Sequence, residues 1–155
     1  MRRLTPSDWE TWRAIRLRAL AEDPAAFGST LERESVWSEA EWRARIAEVA
    51  PFVVEEEGRP MATAGLATDP DGMPHVVAMW VAPEARRRRL ATALLEAAVQ
   101  ACRAAGHTAV RLHVAEDNGP ARALYLRHGF VDTGRAFPLE RDRRVIEREM
   151  ELRLL

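Results

Sequence analysis

Four consecutive arginines, Arg86, Arg87, Arg88 and Arg89, stand between an apolar run ending at Val81 and an amphipathic run beginning at Leu90. The first turn of a helix presents unpaired N–H groups and the positive end of its dipole, which together hold anions. Guanidinium groups add bidentate phosphate donors. Residues 86 to 92, closing with Leu90, Ala91 and Thr92, are therefore expected to lie against a phosphate-bearing ligand. The same stretch also reads as a solvated basic cap paired with Glu84 and Glu96. A second stretch runs from Asn118-Gly119-Pro120 to Gly129-Phe130. Asn118 suits an N-cap, Pro120 the first turn and Gly129 the end of a short helix. Ala121, Leu124, Tyr125 and His128 share one face of it. On spacing alone, Tyr125 reads as a core residue with its hydroxyl at the rim.

Other chemistries find less support. His75, His107, His113 and His128 show no H-E-x-x-H spacing, and Cys102 is the single cysteine. No metal site and no intrachain disulfide are expected. The 23 basic residues are all arginine, so there is no lysine nucleophile. They face 24 acidic ones for a formal charge of -1, and no aromatics interleave with the arginine run. Nucleic acid is thus not the expected partner.

The elements that must position these residues follow from periodicity. At 155 residues the chain reads as a single domain, 1–155, with 47% apolar residues for a core. Ser7 and Glu10 have capping-box spacing for a helix through Leu20, and Ser38 and Glu41 repeat the signal for one ending near Ala50. Residues 24 to 37 read as an irregular loop anchored by Phe27 and Trp37. Residues 51–55 and 61–67 flank Glu57-Gly58-Arg59-Pro60 as a hairpin, and 75–81 is a third strand. Residues 89 to 105 carry the clearest helical stripe, nearly all small residues. Strands are expected at 109–114, 130–132 and 145–152, with a helix over 118–127. The strand–helix–strand unit within a hairpin-connected chain predicts an α/β (α+β) domain, a mixed sheet with helices on its faces. No run approaches the ~18 apolar residues of a membrane span, and Met1-Arg2-Arg3-Leu4 opens no leader, so a cytoplasmic protein is expected.

Taken in order, the two stretches resemble the GNAT superfamily of N-acetyltransferases. That family's acetyl-CoA motif reads Q/R-x-x-G-x-G/A after V-x-P-E, matched here at Val81, Pro83, Glu84, Arg86 and Ala91. Its later motif, N-x-x-A-x-x-L-Y-x-x-x-G-F, is matched at Asn118, Ala121, Leu124, Tyr125, Gly129 and Phe130. Arg16-Leu17 to Phe27 is similar to the family's opening helix and loop. The departure is that Arg87 and Arg89 stand where the family usually has glycine. Arginine lacks glycine's freedom at positive φ, which puts close backbone approach to a diphosphate in question.

The resemblance implies a mostly antiparallel sheet whose central strand pair splays, with the acetyl-CoA thioester in the opened wedge. The backbone of Met79, Trp80 and Val81 would bond the pantetheine arm, and Asn118 would contact the cofactor near it. Tyr125 is similar to the family's general acid, protonating the departing thiolate after direct attack by a primary amine. No base is assigned; His75, His113, Glu55 and Glu56 are the candidates. The acceptor is a small-molecule or peptide amine, met by loops 21–37 and 133–144, and a homodimer fits the family. A catalytically silent, acyl-CoA-sensing relative is the alternative.

Overall fold

The computed structural model describes residues 1–154. Its elements in chain order are β1 (Arg2–Arg3), α1 (Trp9–Glu22), α2 (Leu31–Glu34), α3 (Glu39–Val49), β2 (Phe52–Glu56), β3 (Arg59–Thr68), β4 (Pro74–Val81), α4 (Leu90–Ala104), β5 (Ala109–Ala115), α5 (Gly119–Arg127), β6 (Val131–Pro138) and β7 (Ile146–Arg153). Seven strands form one sheet in the order β1-β2-β3-β4-β5-β7-β6. Only β4 and β5 run parallel, joined by the α4 crossover; every other pair is antiparallel.

Alternation along the strands divides the core between two faces, as a pleated backbone requires. Met61 of β3 and Trp80 of β4 pack with Trp12, Ile15, Leu20, Trp42 and Ile46 of α1 and α3. Ala62 and Ala64 point the other way, onto Leu94 of α4. Their small side chains, with Ala98 in α4, let helix and sheet approach closely. Val110, Leu112 and Val114 of β5 join Leu95, Ala98, Cys102, Tyr125 and Met150 on that second face. Each large apolar side chain removed from water contributes about 1.5–3 kcal/mol. The opposite face of β5 and β7 carries Arg111, His113, Glu149 and Glu151 instead, so half of one sheet face is polar.

The central parallel pair is short. β4 and β5 are in register only at His75↔Arg111 and Val76↔Leu112. Beyond them β4 accommodates one extra residue, because Thr63 faces Trp80 while Gly65 faces Val77. Ala78 takes φ 55° at this bulge. A bulge bends its strand, and this one carries β4 away from β5 and opens a wedge between them. Gly65 lies under the end of α3, where an added Cβ would sit 2.7 Å from the Val49 carbonyl oxygen.

Several boundaries differ from those expected. The N-terminal capping box is two residues earlier than Ser7–Glu10: the Asp8 carboxylate accepts from the Thr5 N–H at 2.8 Å and from its hydroxyl at 3.1 Å. Pro6, with its fixed φ, opens a 3₁₀ turn there that leads into α1. Ser38 caps α3 as expected, accepting from the Glu41 N–H. Residues 24–37 are not irregular throughout: Pro24–Ala26 is a 3₁₀ turn, and Thr30 caps the single-turn α2. The strand expected at 130–132 instead runs Val131–Pro138. It is an edge strand, exposed almost throughout, so no burial alternation marks it in the sequence. For the same reason the two-residue β1, exposed beside β2, was not expected.

Candidate active site

The wedge continues into a cleft of about 860 Å³. Val76 to Met79 of β4 and His113 to Ala115 of β5 wall it, with Asn118, Ala121 and Tyr125 at one side. Trp12, Arg16 and the 22–29 segment close the other side, with Leu139 and Glu147 beyond. Past Val76 the β5-facing edge of β4 has no strand partner among the described residues. An unpaired strand edge is a template for any extended chain bearing amides.

Tyr125 is 7% exposed at the cleft wall, its ring tilted against Phe130 at 6.0 Å. Burial pushes its hydroxyl up to about 12. At neutral pH it therefore carries its proton and can only donate it. Asn118 is the α5 cap expected of it, its Oδ1 accepting from the Ala121 N–H at 3.3 Å.

Of the four candidate bases only His113 lines the cleft. His75 is drawn to Asp69, its Nε2 2.7 Å from Oδ2 on the turn before β4. Glu55 is paired with Arg2 and Glu56 with Arg88. The His113 ring stacks at 5.1 Å on Phe137 and meets the edge of His75 at 5.5 Å. Its Nε2 is 3.5 Å from Oε2 of Glu149, the residue opposite it on β7. Glu149 is 3% exposed. Burial raises its carboxyl, but the Thr133 hydroxyl at 2.9 Å, His113, Arg111 and Arg135 outweigh that and hold it below the usual range. Glu149 was not singled out by its sequence: it lies in the run Ile146-Glu147-Arg148-Glu149, where burial of one charge among several has no local signal.

The arginine run lies apart from the cleft wall, at the start of α4. Arg87 and Arg89 take φ 66° and φ 59°. Both thus adopt the left-handed backbone that arginine was expected to forgo, at a cost of roughly 1–2 kcal/mol each. The loop keeps a glycine-like path without glycine. No side chain caps α4, so its first N–H groups remain available to an anion. The four guanidinium groups divide into pairs. Arg86 donates to the Val81 carbonyl at 3.0 Å and to Asp23 at 2.9 Å. Arg88 grips Glu56 with one nitrogen at 2.7 and 2.9 Å. Among the described residues no carboxylate pairs with Arg87 or Arg89. The expected pairing of the run with Glu84 and Glu96 does not form: Glu84 binds Arg18, and Glu96 faces His128. Trp80 is buried, its indole N–H donating to Asp23 at 2.6 Å, and neither it nor Val81 lines the cleft. Asp23 thereby ties the end of α1 to both β4 and the arginine run.

The site thus joins a mixed sheet with a bulged, splayed parallel pair, an uncapped crossover helix and a tyrosine at the wedge. The sequence profile of the acetyltransferase (GNAT) family matches residues 9–130, and the chain belongs to that family. Among curated protein sequences none matches significantly. Solved structures share the fold. An acetyltransferase of the GNAT family from Streptococcus pneumoniae superposes with a TM-score of 0.82 at 17% identity, over 99% of this chain and 98% of that one. The ribosomal-protein-S18-alanine N-acetyltransferase of Escherichia coli gives 0.71 at 22% identity, over 98% and 91%. The protein yncA of Salmonella typhimurium, solved with its cofactor acetyl-CoA, gives 0.76 at 18% identity, over 99% and 92%. No helix among the described residues is long and apolar enough to cross a membrane.

Proposed function

We propose that the chain is an acetyl-CoA-dependent N-acetyltransferase acting on a primary amine of a small molecule or peptide. The observation carrying this reading is that the unpaired edge of β4, the protonated Tyr125 and His113 meet in one cleft. Acetyl-CoA, when bound, supplies the thioester whose carbonyl carbon the amine attacks. Arg87, Arg89 and the free N–H groups of Leu90, Ala91 and Thr92 are suited to its diphosphate. Arg86 and Arg88, spent on Asp23 and Glu56, brace the loop. The backbone of Met79, with Asn118, serves the pantetheine arm where they line the cleft, that of Trp80 and Val81 continues the same edge toward the arginine loop, and N–H groups on this edge stabilise charge developing on the carbonyl oxygen.

His113 takes the amine proton. Glu149 beside Nε2 favours the proton on that nitrogen and leaves the Nδ1 lone pair free. As the C–N bond forms and the C–S bond breaks, the electron pair leaves on sulfur and Tyr125 donates its hydroxyl proton there. A thiol with a pKa of ~8.5 is a fair leaving group, so this donation assists the step without dictating it.

The test is thiol release from acetyl-CoA with propylamine, spermidine and an alanine-initiated peptide as acceptors, alongside calorimetric titration of acetyl-CoA. Release with at least one amine is expected. Tight binding with no release for any amine would support the silent-sensor reading instead. That reading drew on arginine at both glycine positions, and the left-handed path of Arg87 and Arg89 removes its motive.

A further inference from the structure

The face of β5 and β7 that turns away from α4 carries its charges as rungs of a ladder. Residues directly opposite on an antiparallel pair share a face, and opposite charges there stabilise each other. Glu151 lies opposite Arg111, whose Nε donates to it at 2.8 Å. Glu149 lies opposite His113 and accepts from the Thr133 hydroxyl as well. At the next rung the pattern breaks: Glu147 lies opposite Ala115. Its neighbour on the other side, in β6, is Phe137. Neither side chain can donate to a carboxylate, and Arg148, next in sequence, turns to Glu116. Among the described residues no arginine or histidine pairs with Glu147, which is half-buried and lines the cleft. The arginines lining the cleft, Arg16 and Arg45, are held by Glu34 and Glu48. Its other carboxylates, Glu22 and Asp23, are engaged by Arg18 and Arg86, and Asp117 lies exposed in the turn after β5.

We infer that Glu147 selects diamines: its carboxylate binds the ammonium at one end of the acceptor while the amine at the other end attacks the thioester. The inference deepens the acetyl-transfer reading and rests on it for the attacking end. His113 takes the proton of the attacking amine, and Ala115, opposite Glu147, stands two residues beyond His113 on β5. At about 3.3 Å per residue the two stations are roughly 7 Å apart, which a chain of about four methylene groups spans. The far ammonium completes the rung, taking the place that Arg111 and His113 hold in the two before it. Phe137, its ring 5.1 Å from that of His113, offers apolar surface to the methylenes between. A half-buried ion pair is screened less than one in water. A monoamine of the same length sets an apolar end against a bare carboxylate and strips it of water without replacing it, which is unfavourable.

Thiol release from acetyl-CoA is measured with 1,4-diaminobutane and with pentylamine, which matches its length without the second charge. The unaltered protein should favour the diamine in kcat/KM by about tenfold or more, and the nearly isosteric Glu147→Gln should bring the ratio to about one. Glu147→Asp, which draws the carboxylate back by one methylene, should keep a preference and move its optimum to 1,5-diaminopentane. An unaltered protein indifferent to the second charge, a preference retained in Glu147→Gln, or an optimum unmoved in Glu147→Asp would overturn the inference. So would a clearly lowered Tm in Glu147→Gln, which would reveal a partner for the carboxylate within the chain. Binding is read separately, by calorimetric titration of 1,4-diaminobutane into protein saturated with CoA, and should be about tenfold weaker in Glu147→Gln. Were the unaltered protein to bind acetyl-CoA yet release no thiol with any amine, the acetyl-transfer reading would fail. The titration would still decide the diamine site, and equal affinity in the two proteins would overturn it.

Discussion

The arginine loop and the far end of the cleft are built by opposite means. The arginine end is contiguous, residues 83 to 92, exposed, and made largely of backbone: a left-handed turn at Arg87 and Arg89 and an uncapped helix start. The far end of the cleft is assembled from α1, the 23–30 segment and the 139–145 turn, joined by side chains. A diphosphate asks for N–H groups converging on a small volume, and one turn of chain supplies them. An acceptor asks for a shape, and shape comes from segments that fold together. The price of the first arrangement is local strain; that of the second is a set of part-buried polar contacts that must all be satisfied.

Breaking the far wall should produce the largest effect. Glu34→Gln leaves Arg16 part-buried without its ion, and unfolding in urea should show a loss of about 3 kcal/mol. Glu34 titrates below the usual carboxylate range: burial raises it, and the Arg16 bonds more than compensate. It therefore holds its proton less readily folded than unfolded. Its stabilisation is present above the ordinary value of ~4.3 and is lost as the pH falls further. A Glu34→Gln variant should be the less acid-sensitive of the two proteins.

At the junction of the two ends, Tyr125→Phe should lower turnover on the order of 10²-fold while acetyl-CoA affinity stays constant. With the hydroxyl at about 12, the unaltered enzyme should show no loss of this acid up to pH ~10. A descending limb near pH 8 that Tyr125→Phe abolishes would contradict its assigned state. His113→Gln should lower turnover on the order of 10²-fold, and Glu149→Gln, which removes the carboxylate beside Nε2, should lower it by less.

The arginine end sharpens the comparison by smaller steps. Replacing Arg87 and Arg89 together by Glu should weaken acetyl-CoA binding by about tenfold or more, with a reduced salt dependence. Replacing both by Gly keeps the left-handed path and removes only the charges. Affinity should then fall a few-fold, and stability should rise by about 1 kcal/mol as strain of ~1–2 kcal/mol per residue is relieved against glycine's own entropy. Unchanged affinity in the glycine pair would mean that backbone, not guanidinium, holds the diphosphate.

Much of this could be read along the chain, because it depends on neighbours in sequence. The α4 stripe, the Asn118 cap and the Ser38 cap each involve groups within a turn of one another. The anion-ready start of α4 follows from the same local rule. The wedge tyrosine was legible through its motif rather than through its spacing. Edge strands were not legible, since β1 and most of β6 bury neither face and leave no alternation.

What the tertiary structure decided was which charges meet. Four arginines in a row look alike in sequence, yet Asp23 and Glu56, brought in from α1 and β2, take Arg86 and Arg88 and leave Arg87 and Arg89. Three of four possible bases are likewise drawn off by Asp69, Arg2 and Arg88, leaving His113 to face Glu149 across β5 and β7. Periodicity encodes burial because burial repeats with the backbone. Pairing of polar groups follows distance in space, and only the folded chain sets that distance.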